Sequence, residues 1–127
     1  MFRVKRVYDS TERSDGTRFL VERLWPRGLK KESLQMDGWL KDVAPSVELR
    51  RWFGHAEDRW PEFQRRYRAE LNQKKELLRP LLEAARQGDI TLVYGARDER
   101  HNNAIVIKAC LEAYLHSAKA ETRRSIE

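Results

Sequence analysis

The sequence contains a single cysteine, Cys110. One thiol forms no internal disulfide and cannot build a cysteine-based zinc site, so any metal would need histidine and carboxylates, and a reducing compartment suits the chain. Long apolar runs are also missing. None approaches the roughly eighteen residues a membrane span requires, and the charged opening Met1-Phe2-Arg3-Val4-Lys5-Arg6 lacks the apolar core of a secretory signal. A cytoplasmic protein with no membrane partner is therefore expected. Repeats and low-complexity tracts are absent too, and acids interrupt the basic residues before any block of about five like charges can form.

What remains is the composition of one domain. The 127 residues are 40% hydrophobic and 36% charged, with four Trp, four Tyr and four Phe to fill an interior. Residues 1–117 read as a single α/β domain and 118–127 as a polar C-terminal tail. A net charge of +6 favours anionic partners. A phosphorylated small molecule is the first expectation, and nucleic acid is the alternative.

Residues 2–8 alternate Phe2, Val4 and Val7 with basic residues, as in a half-exposed edge strand of undetermined direction. An Asp15-Gly16 turn leads into a second strand over 19–24, which Trp25-Pro26-Arg27-Gly28 stops. Ser33 is the expected cap of a short helix carrying Leu34, Trp39, Leu40 and Val43, with Gly38 in its middle. A further helix runs from Ser46 to Gly54. Asp58 is the expected cap of the next, whose Trp60, Phe63, Tyr67 and Leu71 repeat at helical spacing. Leu77 to Ala85 continue a helical pattern, with Pro80 in a first turn or at a kink, up to Gly88. The β-branched run Ile90-Thr91-Leu92-Val93-Tyr94 predicts a central strand, and Ala104 to Leu115 a last helix. The fold class is thus α/β: a small, mainly parallel sheet of three to four strands flanked by helices, because a helical crossover joins the second and third strands.

Parallel strands put their C-terminal ends on one edge, where α/β folds bind ligands. Two polar turns follow strands here, Trp25-Pro26-Arg27-Gly28 and the loop from Gly95 to Asn103, which opens a helix. With a helix N-terminus nearby, Arg23, Arg27 and Arg97 are candidate clamps for phosphate or carboxylate, and Gly28 and Asn102 shape the turns. Asp98 or His101 is the candidate proton-transfer group; the competing reading is a surface pair or a helix cap. Trp25 and Trp52 are candidate ligand-stacking residues: Trp25 sits in a turn that makes burial harder, whereas the helical spacing of Trp52 makes core its competing reading. His55 is a second shuttle or an ordinary loop residue, and Cys110 a small core residue. No metal is assigned, no cofactor is specified, and the glycines complete no phosphate-binding fingerprint. The alternative function, nucleic-acid or regulatory binding, would use Arg65, Arg66 and Arg68 on the Arg-rich helix.

Four segments carry a family resemblance: Val21-Glu22-Arg23-Leu24-Trp25-Pro26-Arg27-Gly28, Trp39-Leu40-Lys41-Asp42-Val43-Ala44-Pro45-Ser46, Leu49-Arg50-Arg51-Trp52-Phe53-Gly54-His55, and Thr91-Leu92-Val93-Tyr94-Gly95-Ala96-Arg97-Asp98-Glu99-Arg100-His101-Asn102. Together they resemble the YeaO-like branch of domain-of-unknown-function family four-eight-eight, over nearly the whole chain. The resemblance implies a small cytoplasmic α/β protein and brings no established activity. Two departures stand out: Asn103 where the family pattern tends to have a second His, and Ala56-Glu57 in place of Asp-Pro. The first weakens a metal site at His101, because one imidazole makes a poor ligand set.

Overall fold

The computed structural model describes residues 1–33 and 35–126, with side chains over 1–32 and 35–117. Strands β1 (Phe2–Arg6), β2 (Thr17–Leu20), β3 (Gly38–Trp39) and β4 (Ile90–Tyr94) form one sheet in the order β1-β4-β2-β3, with every neighbouring pair parallel. Helices α1 (Val47–Phe53), α2 (Trp60–Gln73), α3 (Arg79–Gln87) and α4 (Asn103–Ile126) complete a single α/β domain. β4 is buried along its length between β1 and β2, as its β-branched run predicts. β1 is the expected edge strand. Its direction, which alternation alone leaves open, is set by pairing from Phe2 opposite Ile90 to Arg6 opposite Tyr94.

Strand alternation gives the sheet two different faces. Phe19, Val21, Ile90, Leu92 and Tyr94 pack with Phe53, Phe63, Tyr67, Leu81, Ile107 and Leu111 from the helices, forming the main core. Leu20 and Val93 point the other way, with Val7, beneath Trp25, Leu29, Met36 and Trp39. Strand β3 and connecting chain, not helix, supply this second cover. On the same side Asp15 and Arg18, only 2% and 3% exposed, form a hydrogen-bonded ion pair. Lys5 Nζ joins Asp15 at 3.0 Å, and Thr91 Oγ1 donates to the Asp15 carbonyl at 2.7 Å.

Three local expectations are corrected. The helix expected across 34–43 is instead β3 followed by a single 3-10 turn, Lys41–Val43. The Phe19 ring lies 2.9 Å from where a Cβ on Gly38 would sit, and the Asp37 and Leu40 amides bond to the carbonyls of Arg18 and Leu20. Sheet pairing thus overrides local helical spacing; the expected Ser33 cap and Leu34 lie outside the described side chains. β2 starts and stops earlier than the 19–24 run suggests, because the chain leaves its β4 ladder after the Val21 amide bonds Val93 O at 3.0 Å. Asp58 lies within a 3-10 turn, Glu57–Arg59, and α2 begins without a side-chain cap. Pro61 in that first turn already removes one orphan donor.

Other boundaries follow their chemistry. Ser46 Oγ accepts the Leu49 amide at 3.1 Å to start α1, and Gly54 ends it at φ +52°. Pro80 occupies the first turn of α3 rather than a kink. α4 continues helically to Ile126, through most of the expected polar tail, whose side chains over 118–127 lie outside the described residues.

Candidate functional site

A cleft of about 470 Å³ opens at the C-terminal ends of the strands, between the turn after β2 and the loop after β4. Its floor begins with Glu22, the residue that follows the last β2–β4 backbone bond. The Glu22 carbonyl accepts Trp39 Nε1 at 2.6 Å, and Oε1 of its side chain accepts the Gly95 amide at 3.0 Å, so one residue joins the ends of β2, β3 and β4. Burial raises the pKa of this carboxyl group; the Gly95 amide and the charge of Arg50 pull the other way without cancelling the rise.

The first rim is the 25–29 turn. Trp25 Nε1 donates to the Leu29 carbonyl at 2.6 Å, and its ring meets the Trp39 ring edge-on at 5.2 Å, which fixes the indole where it borders the cleft. Gly28 takes φ +77°, the left-handed conformation this turn requires, and lies outside the lining. Arg27 lines the cleft and is exposed.

The second rim is the 95–103 loop. Asp98 Oδ1 accepts the amides of Arg100 and His101 at 2.9 and 3.1 Å, and Oδ2 meets His101 Nδ1 at 2.8 Å. The His101 ring and these amides hold the Asp98 carboxyl below its ordinary pKa. An edge-on contact with Trp60 at 5.0 Å orients the imidazole from another side. Asn102 caps α4 by accepting the Ile105 amide at 3.1 Å, and Asn103 Nδ2 donates to the Val21 carbonyl at 2.6 Å, pinning the helix start against β2.

Helix α1 supplies the third side. Arg50 lines the cleft with its Nε buried and without a hydrogen-bond partner, while Phe53 forms part of the wall. His55, just past the helix, borders the cleft at φ +58°, a left-handed conformation that L-residues other than glycine adopt at a cost.

The structure thus brings Trp25, Arg27, His55, His101 and Asn102 to one cleft. It does not bring Arg23, Gly28, Trp52 or Arg97 there. Arg23 keeps its Nε buried and unpartnered outside the lining, and Arg97 is exposed. Trp52 lies on a separate groove, under Arg66 at 4.1 Å and Arg59 at 5.4 Å. Asp98 stands behind His101 rather than in the lining. Sequence reasoning missed Glu22 and Arg50. An acid in an apparent strand and a basic residue on an amphipathic helix both read as solvent-facing. It also missed Glu57, whose carboxylate lies within 4.8 Å of ligand atoms of Asp98 and His101, a set able to hold a divalent cation.

Fold and site together define a small α/β protein with an aromatic-walled, arginine-bearing cleft at the carboxyl edge of a parallel sheet. The chain belongs to the DUF488-N3i family, described as the inactive DUF488-N3 subclade, whose profile matches residues 1–127. Among similar proteins is the uncharacterized protein YeaO of Escherichia coli K12, 44% identical over 103 residues that cover 81% of this chain and 90% of YeaO. The uncharacterized protein Rv3073c of Mycobacterium tuberculosis H37Rv is 38% identical over 109 residues, covering 86% of this chain and 92% of that protein. No solved structure matches significantly. Among the described residues no helix is long and apolar enough to cross a membrane.

Proposed function

We propose that the cleft binds an anionic, phosphorylated small molecule of nucleotide-like size, and that the protein works in the cytoplasm as a ligand-binding module. The observation that carries this reading is Arg50. A buried guanidinium nitrogen without an acceptor costs stability unless something fills the bond, and Arg27 lines the same cleft as Asn102 and Asn103 at the start of α4, where the helix dipole favours an anion. A volume of about 470 Å³ suits such a ligand. The family's description as inactive supports binding without turnover. In this reading Asp98 fixes His101 as a positioned hydrogen-bonding group, and Asn102 and Asn103 shape the anion-facing helix start.

The alternative, nucleic acid on the Arg-rich helix, draws less support. Glu62 already engages Arg65 at 2.6 Å and Arg66 at 2.9 Å, and Arg66 also lies over Trp52.

Thermal denaturation with inorganic phosphate and with nucleoside monophosphates tests the proposal. A ligand at a hundred times its dissociation constant stabilises by roughly 2.7 kcal/mol. Arg27→Ala and Arg50→Ala should each reduce that gain, whereas Arg65→Ala combined with Arg66→Ala should leave it intact. Equal gains in all variants would refute the assignment.

A further inference from the structure

We propose that Glu57, Asp98 and His101 form a divalent-cation site at the rim of the cleft. The proposal goes beyond the anion-binding reading above and does not depend on it, since neither Glu57 nor Asp98 lines the cleft and the test contains no phosphate.

The three residues come from two stretches distant in the chain. Glu57 stands in the 3-10 turn before α2, and Asp98 and His101 in the loop that opens α4. The fold sets one ligand atom from each within 4.8 Å of the others. The closest pair is already spaced for coordination. Asp98 Oδ2 and His101 Nδ1 lie 2.8 Å apart, and neighbouring ligand atoms around an ion with bonds of about 2.1 Å lie roughly 3 Å apart. A divalent ion there takes the place of the proton that joins the two.

One imidazole alone is a poor ligand set. With two carboxylates it becomes the mixed nitrogen and oxygen set that suits zinc or manganese. The set is also held in place. Trp60 meets the imidazole edge-on at 5.0 Å, and the amides of Arg100 and His101 fix the Asp98 carboxylate through Oδ1, which leaves Oδ2 for the ion. Charge balance points the same way. Glu57 and Asp98 bring two like charges together, and among the described residues neither is ion-paired with a lysine or arginine, in a chain that carries 26 of them. Glu57 is exposed and the other two are half-buried, so an ion enters from solvent. Because His101 lines the cleft, the ion stands beside the space that Arg27 borders and adds to its attraction for an anion.

The test is titration calorimetry with Zn²⁺ and with Mn²⁺ on untagged protein in buffer free of phosphate and chelators. The chains compared are the wild type, Glu57→Gln, His101→Asn and His116→Asn, the last removing an imidazole on α4 away from the site. The wild type and His116→Asn should bind one ion per chain with equal affinity, and Glu57→Gln and His101→Asn should each bind at least about tenfold more weakly. The Glu57 side chain is exposed, so metal-free Glu57→Gln should melt with the wild type, which separates lost affinity from lost folding. No saturable uptake of either ion by the wild type overturns the site, as does an affinity that survives Glu57→Gln or His101→Asn. Neither result touches the Arg50 reading, which the phosphate melts decide.

Discussion

Glu22 Oε1 accepts the Gly95 amide at 3.0 Å, so the first residue beyond the β2 ladder and the first residue beyond β4 are tied together at the floor of the cleft. The bond closes the sheet's carboxyl edge but buries a carboxylate to do so. Because burial raises the Glu22 pKa above its ordinary 4.5, the favourable protonation contribution is fully present below that value and is lost as pH rises through the folded pKa. At neutral pH the charge is a liability. Glu22→Gln should therefore match or exceed the wild type in stability at pH 7, with the gap closing as pH falls toward 4.5. Denaturant midpoints measured across that range decide it, and a variant clearly weaker at pH 7 would show that the charge stabilises the fold.

Asp15 has the opposite sign. Burial pushes its pKa up, but the Glu12 amide, Lys5 and Arg18 outweigh that and hold it below 3.8. Its contribution is present above 3.8 and is lost as pH falls through the folded value. Asp15→Asn leaves Arg18 buried beside a neutral partner and should cost about 3 kcal/mol at pH 7. Urea melts at several pH values check both parts: the variant should also lack the wild type's final loss of stability in acid.

These two carboxylates illustrate what the sequence reveals and what it hides. Periodicity and turn chemistry identify α1, from Ser46 to Gly54, and the buried β4, because each is decided by neighbours in the chain. The two rims of the cleft are legible for the same reason: Trp25 to Gly28 and the 95–103 loop each follow a strand and carry turn residues. β3 is not legible. Two residues give no alternation, and Gly38 and Trp39 are fixed by Phe19 and Glu22 from a distant strand. Arginines next to the turns in sequence, Arg23 and Arg97, lie outside the cleft, while Arg50, 45 residues before the β4 loop begins at Gly95, lines it. Direction of a side chain, not proximity along the chain, selects the site.

Gly16 offers a backbone test of the β1–β2 connection. It adopts φ +64°, and a Cβ there would lie 2.0 Å from the Asp89 carbonyl oxygen, a clash no rotamer relieves. Gly16→Ala should lose at least about 2 kcal/mol. Gly88 has nothing within 4 Å of the same position, so Gly88→Ala should stay within about 1 kcal/mol of the wild type. Similar losses in the two variants would mean that the close approach to Asp89 is not what constrains Gly16.

His55 carries the last prediction, because it joins strain to position. It follows Gly54, itself at φ +52°, and takes φ +58° with its ring 6.2 Å from that of Phe53. A left-handed non-glycine residue costs roughly 1–2 kcal/mol, and the greater freedom of glycine in the unfolded chain takes back about 0.4–1 of what its substitution there would relieve. His55→Gly should therefore gain about 0.5–1 kcal/mol in denaturant melts while weakening the response to nucleoside monophosphates, since the imidazole borders the cleft. A gain in stability with unchanged ligand response would assign the strain to the loop alone. A clear loss of stability would mean that the ring's contact with Phe53 outweighs the backbone cost.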